Sequence, residues 1–481
     1  MKSKKLEQLV ILLALLVVSC VAFAESGGKA KPTYDFEIID EVVKEEMARL
    51  SIKGVAIGIV DNDEIIYSKG YGVSDTNSTQ ITPDTKFIIG SVSKSFTAMA
   101  IMQLKEKGLL DLSDPVNKYL PWFQLKNESD SDETRITHLL THTSGLSTYD
   151  GNSIFNGEIK DRKAFFREIK LNSRVSPFFE YSNLNFVLLG YIVEAVSGKN
   201  YDEYIKENIF IPLGMKNSYA NIDQAFSNGL TYGFQSVFGR LVNLETNYYQ
   251  YNVPAGYIVS SANDMAKYLT ANMNNDALAN DRVISRDGRD HLLMTGMGWR
   301  IVGQGFGHGG SATGYRANIF MAPVDRSGWI GLVVLINTND FMVSKFDKSY
   351  DLSSISNRIT SILMYGSEPK IANETMRNGI YVLTNFLIIA FLLIIFVQIY
   401  KLKKFIKNIE ARKASPIFII ILNIVTPLLL YYGIEIISNA SFTNVMRFVP
   451  GAIHMAAVII TLFLLTALIQ IWFLARVKVL G

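Results

Sequence analysis

Apolar positions along these 481 residues follow two kinds of pattern. Near the ends they form unbroken runs, at residues 9–18 and again at 380–399, 417–437 and 451–475. Between the ends, from about 35 to 365, they recur at the spacings of amphipathic helices and half-buried strands. Residues 36–50 have helical spacing. Residues 55–60 and 64–68 read as a β-hairpin turning through Asp61-Asn62-Asp63. Residues 91–107 read as a long helix stopped by Gly108, and 186–196 as a second with Gly198 just beyond it. Residues 264–273 read as a third, with Asn263 as N-cap. Residues 328–337, rich in Val and Ile, read as a strand. Strands at both ends with helices between predict an α/β fold: an antiparallel sheet built from the two ends, flanked by helices, plus a helical subdomain.

Each C-terminal run reaches the ~20 residues that cross a bilayer core. A buried helix of a soluble protein is rarely apolar on every face for so long. Pro427 lies inside the second run and Glu435 near its end, positions a spanning helix tolerates. The expected organisation is a body at 35–365, a linker at 366–379, and a membrane segment at 380–481 with helices at about 380–400, 417–437 and 451–475. At the other end, Lys2, Lys4 and Lys5 precede the 9–18 run, and Ala22-Phe23-Ala24 has the small-x-small form of a cleavage site. Together they predict a signal peptide at 1–24. Val17-Val18-Ser19-Cys20 offers an alternative, a degenerate lipobox in which Cys20 would be lipidated.

Charge changes this picture in two ways. Lys401, Lys403, Lys404, Lys407, Arg412 and Lys413 lie between the first two runs, Arg447 alone between the second and third, and Arg476 and Lys478 after the third. The positive-inside rule puts the Lys-rich loop and the C-terminus in the cytoplasm, and the body outside, in agreement with the export signal. The expected location is a bacterial cell membrane, multi-pass, with an extracytoplasmic body facing its substrate and the lipid bilayer as a partner. Overall, 47 basic and 44 acidic residues leave a net charge of only +3, which argues against a nucleic-acid binder. The one cysteine cannot form an internal disulfide.

Three short motifs carry candidate chemistry. The first is Ser91-Val92-Ser93-Lys94, preceded by Gly90 and opening a helix. A serine hydroxyl needs a group to take its proton, and a lysine three residues on shares its helix face. Desolvation lowers a lysine pKa and makes it a usable base. The helix N-terminus also offers N–H groups to a developing oxyanion. The second is Tyr181-Ser182-Asn183: the tyrosine can relay a proton to a leaving group, and the asparagine can hold the lysine and a substrate amide. The third is His308-Gly309-Gly310-Ser311, where paired glycines let a substrate lie close to a strand edge and the Ser311 N–H can serve as a second oxyanion donor.

In this order and spacing the motifs resemble the serine β-lactamase-like superfamily, close to class C β-lactamases, low-molecular-weight penicillin-binding proteins and related esterases and peptidases. The resemblance extends from about 40 to 340. It includes the segment from Gly108 to Val116 with Tyr119-Leu120-Pro121, the stretch from Ile136 to Leu146, Pro212-Leu213-Gly214-Met215, and the segment from Ala255 to Leu269. It implies Ser91 as nucleophile, Lys94 and Tyr181 sharing base and acid duties, and Asn183 positioning Lys94 and substrate. His308, Gly309, Gly310 and Ser311 would line the substrate, with the N–H groups of Ser91 and Ser311 as oxyanion hole. No metal or cofactor is implied. His138 and His142 have a zinc-like spacing, but with no third ligand evident a structural loop role is expected.

His308 stands where most β-lactamases and transpeptidases carry a lysine that binds the substrate carboxylate, which leans the expectation toward a peptidase, esterase or amidase. The whole architecture also resembles the membrane peptidases that mature non-ribosomal-peptide prodrugs such as colibactin by removing an N-acyl-D-asparagine cap. Asn183 and Asn252 depart from that group, which has Ser and His there. A slow β-lactam or cell-wall sensor is a further reading; the short 401–416 loop leaves little room for a signalling domain.

Overall fold

The computed structural model describes residues 34–75, 77–154, 161–173, 175, 178–243, 248–273, 283–324, 328–369, 375–400 and 417–480. The expected signal peptide, Cys20 and the basic loop at 401–413 lie outside the described residues. The chain divides into a short unit, Met1–Asp40, and a large one, Glu41–Gly481. In the short unit the Asp35 carboxylate accepts the N–H groups of Glu37 and Ile38, at 3.0 and 3.4 Å, and opens helix α1 (Phe36–Leu50).

The large unit is organised on one six-stranded antiparallel sheet. Its strands are β1 (Gly54–Asp61), β2 (Glu64–Gly72), β3 (Arg300–Val302), β4 (Gly305–Ala312), β5 (Tyr315–Val324) and β6 (Gly328–Ile336). Their order is β2-β1-β6-β5-β4-β3. The predicted closure of the sheet from the two ends is therefore present: β1 pairs with β6, with Ile57 opposite Val334. Every residue of β1 is buried, as a strand covered on both faces requires.

The central helix is α2 (Ser93–Glu106), buried continuously from Ser93 to Leu104. Helix α3 (Asn183–Ser197) packs on it and ends at Gly198 in the left-handed region, φ 69°. Helix α4 (Ala262–Met273) packs against β1 and β6, and α5 (Ser354–Tyr365) against β5 and β6. Phe96 of α2 stacks on Tyr268 of α4, with ring centroids 4.0 Å apart, joining the helical region to the layer on the sheet. Helix α4 starts before the expected residue 264, which corrects the expected cap. Ser261 Oγ accepts the Asp264 N–H at 3.3 Å, while Asn263 sits in the first turn and bonds to Ser68 and Asp84.

Among the described residues, three helices are long and apolar enough to cross a membrane: α6 (Arg377–Tyr400), α7 (Ile417–Ser438) and, after the short α8 (Phe442–Phe448), α9 (Ala452–Leu480). Asn423 of α7 donates to Gln470 of α9 at 3.0 Å, the kind of interhelical bond that substitutes for absent water. Helix α8 was not foreseen. Glu435 accepts the Phe442 N–H at 2.9 Å and so holds its start. Helix α6 begins ahead of the apolar run, and its first turn is bound to the body. Arg377 pairs with Asp340 at 3.3 Å and donates to the Gly239 carbonyl at 3.0 Å, and the Tyr381 hydroxyl reaches Asp340 at 2.9 Å. All three groups are buried.

Candidate active site

Ser91 lies on a single 3-10 turn, Gly90–Val92, that leads into α2, so the expected helix at 91 begins two residues later. Gly90 has φ +56°, and its bare backbone matters for a second reason. A Cβ there would stand 2.3 Å from the Ser311 nitrogen, and a Cβ on Gly310 would stand 1.9 Å from the Ile89 carbonyl oxygen. The two glycines thus let β4 press its backbone against the turn that carries Ser91. Ser93 Oγ fixes the turn, donating to the Gly90 carbonyl at 2.7 Å and accepting the Ile258 N–H at 3.0 Å.

Lys94 is fully buried on the first turn of α2. Its Nζ lies 3.3 Å from Ser91 Oγ, 2.8 Å from Asn183 Oδ1 and 2.5 Å from the Ala255 carbonyl oxygen. Three ammonium hydrogens thereby meet three acceptors. Burial pushes the Lys94 pKa below the ordinary lysine value; Tyr181 opposes this and the Arg300 charge adds to it. When Lys94 is neutral, Asn183 and Ala255 retain its two hydrogens, and its lone pair faces Ser91 Oγ. The Tyr181 hydroxyl donates to the same Oγ at 2.7 Å. Serine oxygen, lysine nitrogen and tyrosine oxygen therefore form a continuous proton path.

Asn183 opens α3 rather than preceding it, and its Nδ2 reaches Asn152 Oδ1 at 3.4 Å. Ser182, at the N-cap position, does not cap; its hydroxyl donates to the Ser147 carbonyl at 2.9 Å. His142 packs its ring 4.5 Å from that of Tyr181 and accepts the Ser182 N–H on Nδ1 at 3.2 Å. Burial, then the Lys94 charge, keeps His142 neutral well below the ordinary histidine pKa. His138 accepts the Arg135 N–H on Nδ1 at 3.1 Å. His138 thus closes the start of a short helix, Ile136–Leu140, rather than a loop, while His142 holds the backbone beside Tyr181.

His308, Gly309, Gly310 and Ser311 all lie on β4. The His308 ring is buried, with Nδ1 2.7 Å from the Gly309 carbonyl oxygen, so Nδ1 carries the hydrogen. Burial and the nearby Lys94 charge push its pKa down to about 3. At neutral pH this ring presents no charge where a lysine would present one. Asn339 Nδ2 holds the end of the strand, 2.8 Å from Ser311 Oγ and 3.0 Å from the Ala312 carbonyl oxygen.

The structure thus gathers Ser91, Lys94, Tyr181 and Asn183 into one hydrogen-bonded group, with the His308–Ser311 strand beside it. Sequence reasoning missed four contributors: the Ala255 carbonyl, Asn152, Asn339 and Arg300, whose guanidinium lies 5.8 Å from the Tyr181 ring centroid. A backbone carbonyl leaves no trace in residue type. The others have no fixed spacing from the motifs they serve.

A family model described as β-lactamase matches residues 39–353. The chain belongs to the β-lactamase family. Among curated relatives, Protein flp of Staphylococcus aureus is 25% identical over 350 residues, covering 70% of this chain and 69% of its own length. The unguisins hydrolase of Aspergillus campestris is 31% identical over 251 residues, 48% of this chain and 46% of its own. Among solved structures, the octameric penicillin-binding protein homologue from Pyrococcus abyssi superposes with a TM-score of 0.58 at 28% identity, covering 71% of this chain and 79% of that one. FmtA from Staphylococcus aureus superposes with a TM-score of 0.55 at 22% identity, covering 72% and 95%; at that identity the likeness is one of fold alone.

Proposed function

We propose that this chain is a membrane-anchored serine hydrolase that opens an amide or ester through an acyl-enzyme on Ser91. The observation that carries the reading is the convergence on one oxygen: Tyr181 OH at 2.7 Å and Lys94 Nζ at 3.3 Å from Ser91 Oγ, with Lys94 otherwise held by Asn183 and Ala255. Lys94, whose burial favours its neutral form, takes the Ser91 proton as Oγ attacks. Tyr181 passes a proton to the leaving amine or alcohol. Asn183 positions Lys94 and the substrate amide. The N–H groups of Ser91 and Ser311 hold the oxyanion, and water resolves the acyl-enzyme.

A neutral His308 in place of a cation removes the carboxylate anchor of a penicillin site, which favours peptidase or esterase chemistry over β-lactam turnover. That a relative is named a hydrolase is consistent with this. We place the body on the outer face of a bacterial membrane, from the distribution of Lys and Arg between the apolar runs. The test is labelling of folded full-length protein with a fluorescent fluorophosphonate and, separately, a fluorescent penicillin. Strong fluorophosphonate labelling that vanishes in Ser91→Ala, with weak penicillin labelling, is expected. Labelling undiminished in Ser91→Ala, or none at all, overturns the reading.

A further inference from the structure

The Ser91 site opens into a cavity of about 560 Å³ whose apolar part the mechanism does not use. Its polar end is Ser91, Asn183, Asn152 and Ser311. Its far end is made by the apolar helices: Ile388 and Phe391 of α6, Leu430 and Ile434 of α7, Ile453 and Ile459 of α9. Ile459 is buried in a small apolar cluster with Ile395 and Phe463. From Ala452 to Ile459 the cavity follows α9 over a rise of about 10 Å. The same helices turn Leu383, Leu429, Val458 and Leu468 outward, so the cavity face is distinct from the lipid face.

A polar link ties the two ends together. Asn183 bonds to the Asn152 side chain, and Asn444 of α8 donates to the Asn152 carbonyl. Helix α8 in turn sets Val445 and Phe448 in the cavity wall. Tyr181, His308 and Arg300 are not part of that wall. With Tyr181 taken as the proton donor to the leaving group, a wall without Tyr181 is assigned to the acyl side of Ser91.

We infer that the substrate is an amphiphile whose acyl portion carries a hydrocarbon tail, and that this tail occupies the cavity between α6, α7 and α9. The inference rests on Ser91 as the acylated group. Ser91 Oγ bonds to the carbonyl carbon of the tailed acyl group, and the bond from that carbon to nitrogen or oxygen breaks. The Ser91 proton leaves through Lys94 and Tyr181 with the amine or alcohol. Water then gives its hydroxyl to the carbon and a proton back to Ser91, releasing a tailed acid.

The experiment uses full-length protein in detergent and p-nitrophenyl esters with acetyl, butyryl and octanoyl groups. Expected is a Ser91-dependent kcat/KM that rises with chain length, by up to about fourfold per methylene. A tail moved to the leaving alcohol, as in octyl acetate, gives no such gain. Ala456→Phe and Ile453→Trp fill the cavity and collapse the octanoyl-to-acetyl ratio, whereas Val458→Phe on the lipid face of α9 preserves it. Ser91-dependent turnover without chain-length preference overturns the inference and leaves the hydrolase reading standing. Absence of any Ser91-dependent turnover overturns the hydrolase reading instead. A diazirine-tailed octanoyl amide then tests the cavity without catalysis, in Ser91→Ala protein. Crosslinks at Phe391 and Ile453 support the tail site; crosslinks at Val458 and Leu468, as for a bulk lipid, overturn it.

Discussion

The two sides of Ser91 are built on different physics. On one side, Lys94, Tyr181 and Asn183 are each fixed by hydrogen bonds of 2.5 to 3.3 Å, and the backbones of Gly90 and Gly310 touch without room for a side chain. On the other, stripes from three apolar helices enclose an open volume. The first side specifies by direction and charge, so it tolerates almost no substitution. The second specifies by volume, so it should tolerate isosteric exchange and fail when filled. On the proposed reading, chemistry and substrate selection are separable, and mutations can attack one without the other.

The largest effect is expected from removing the buried base. Lys94→Met keeps an unbranched chain in the same space but leaves Ser91 without a proton acceptor, and kcat should fall by roughly 10²–10⁴-fold. A steady-state assay with a short ester checks this; an activity within a few-fold of the parent would assign the base elsewhere. Next is Gly310→Ala. Its Cβ would meet the Ile89 carbonyl oxygen at 1.9 Å, so β4 must retreat from the Ser91 turn and take the Ser311 N–H with it. A kcat loss of roughly 10²–10³-fold, the cost of one oxyanion donor, is expected from single-turnover kinetics. Unchanged kcat would mean that the strand does not contribute to the oxyanion site.

The smallest effect is on stability rather than rate. His308 titrates at about 3 in the folded chain against 6.5 ordinarily, so below pH 6.5 the unfolded chain binds a proton that the folded one refuses. Its contribution is lost as pH falls from 6.5 toward 3, a destabilisation on the order of a few kcal/mol. Buried His142 acts in the same direction. His308→Gln should therefore lose less melting temperature between neutral and acidic pH than the parent does. An equal loss would show that the ring is protonated without penalty.

Much of the body was legible because its signals are local. Lys94 follows Ser91 by one turn, Asn183 begins a helix that the apolar spacing at 186–196 already marked, and Val- and Ile-rich segments at both ends become the adjacent strands β1 and β6. The 3-10 turn at Ser91 was not legible, and neither was its close contact with the backbone of Gly310, 220 positions beyond Gly90. The cavity was hidden for another reason. Its apolar lining belongs largely to helices that are apolar on every face, so no periodicity separates the inward stripe from the outward one. Asn152 and Asn444, which join that cavity to the site, lie far apart in the chain in segments without a chemical motif.

The most direct measurement is peptide mapping of full-length protein after reaction with an alkyl fluorophosphonate, with ethyl and dodecyl probes compared. A single adduct on the Ser91 peptide, formed faster with the dodecyl probe, is the predicted result. An adduct on another residue, or a folded protein that neither probe modifies, would contradict the assignment of Ser91.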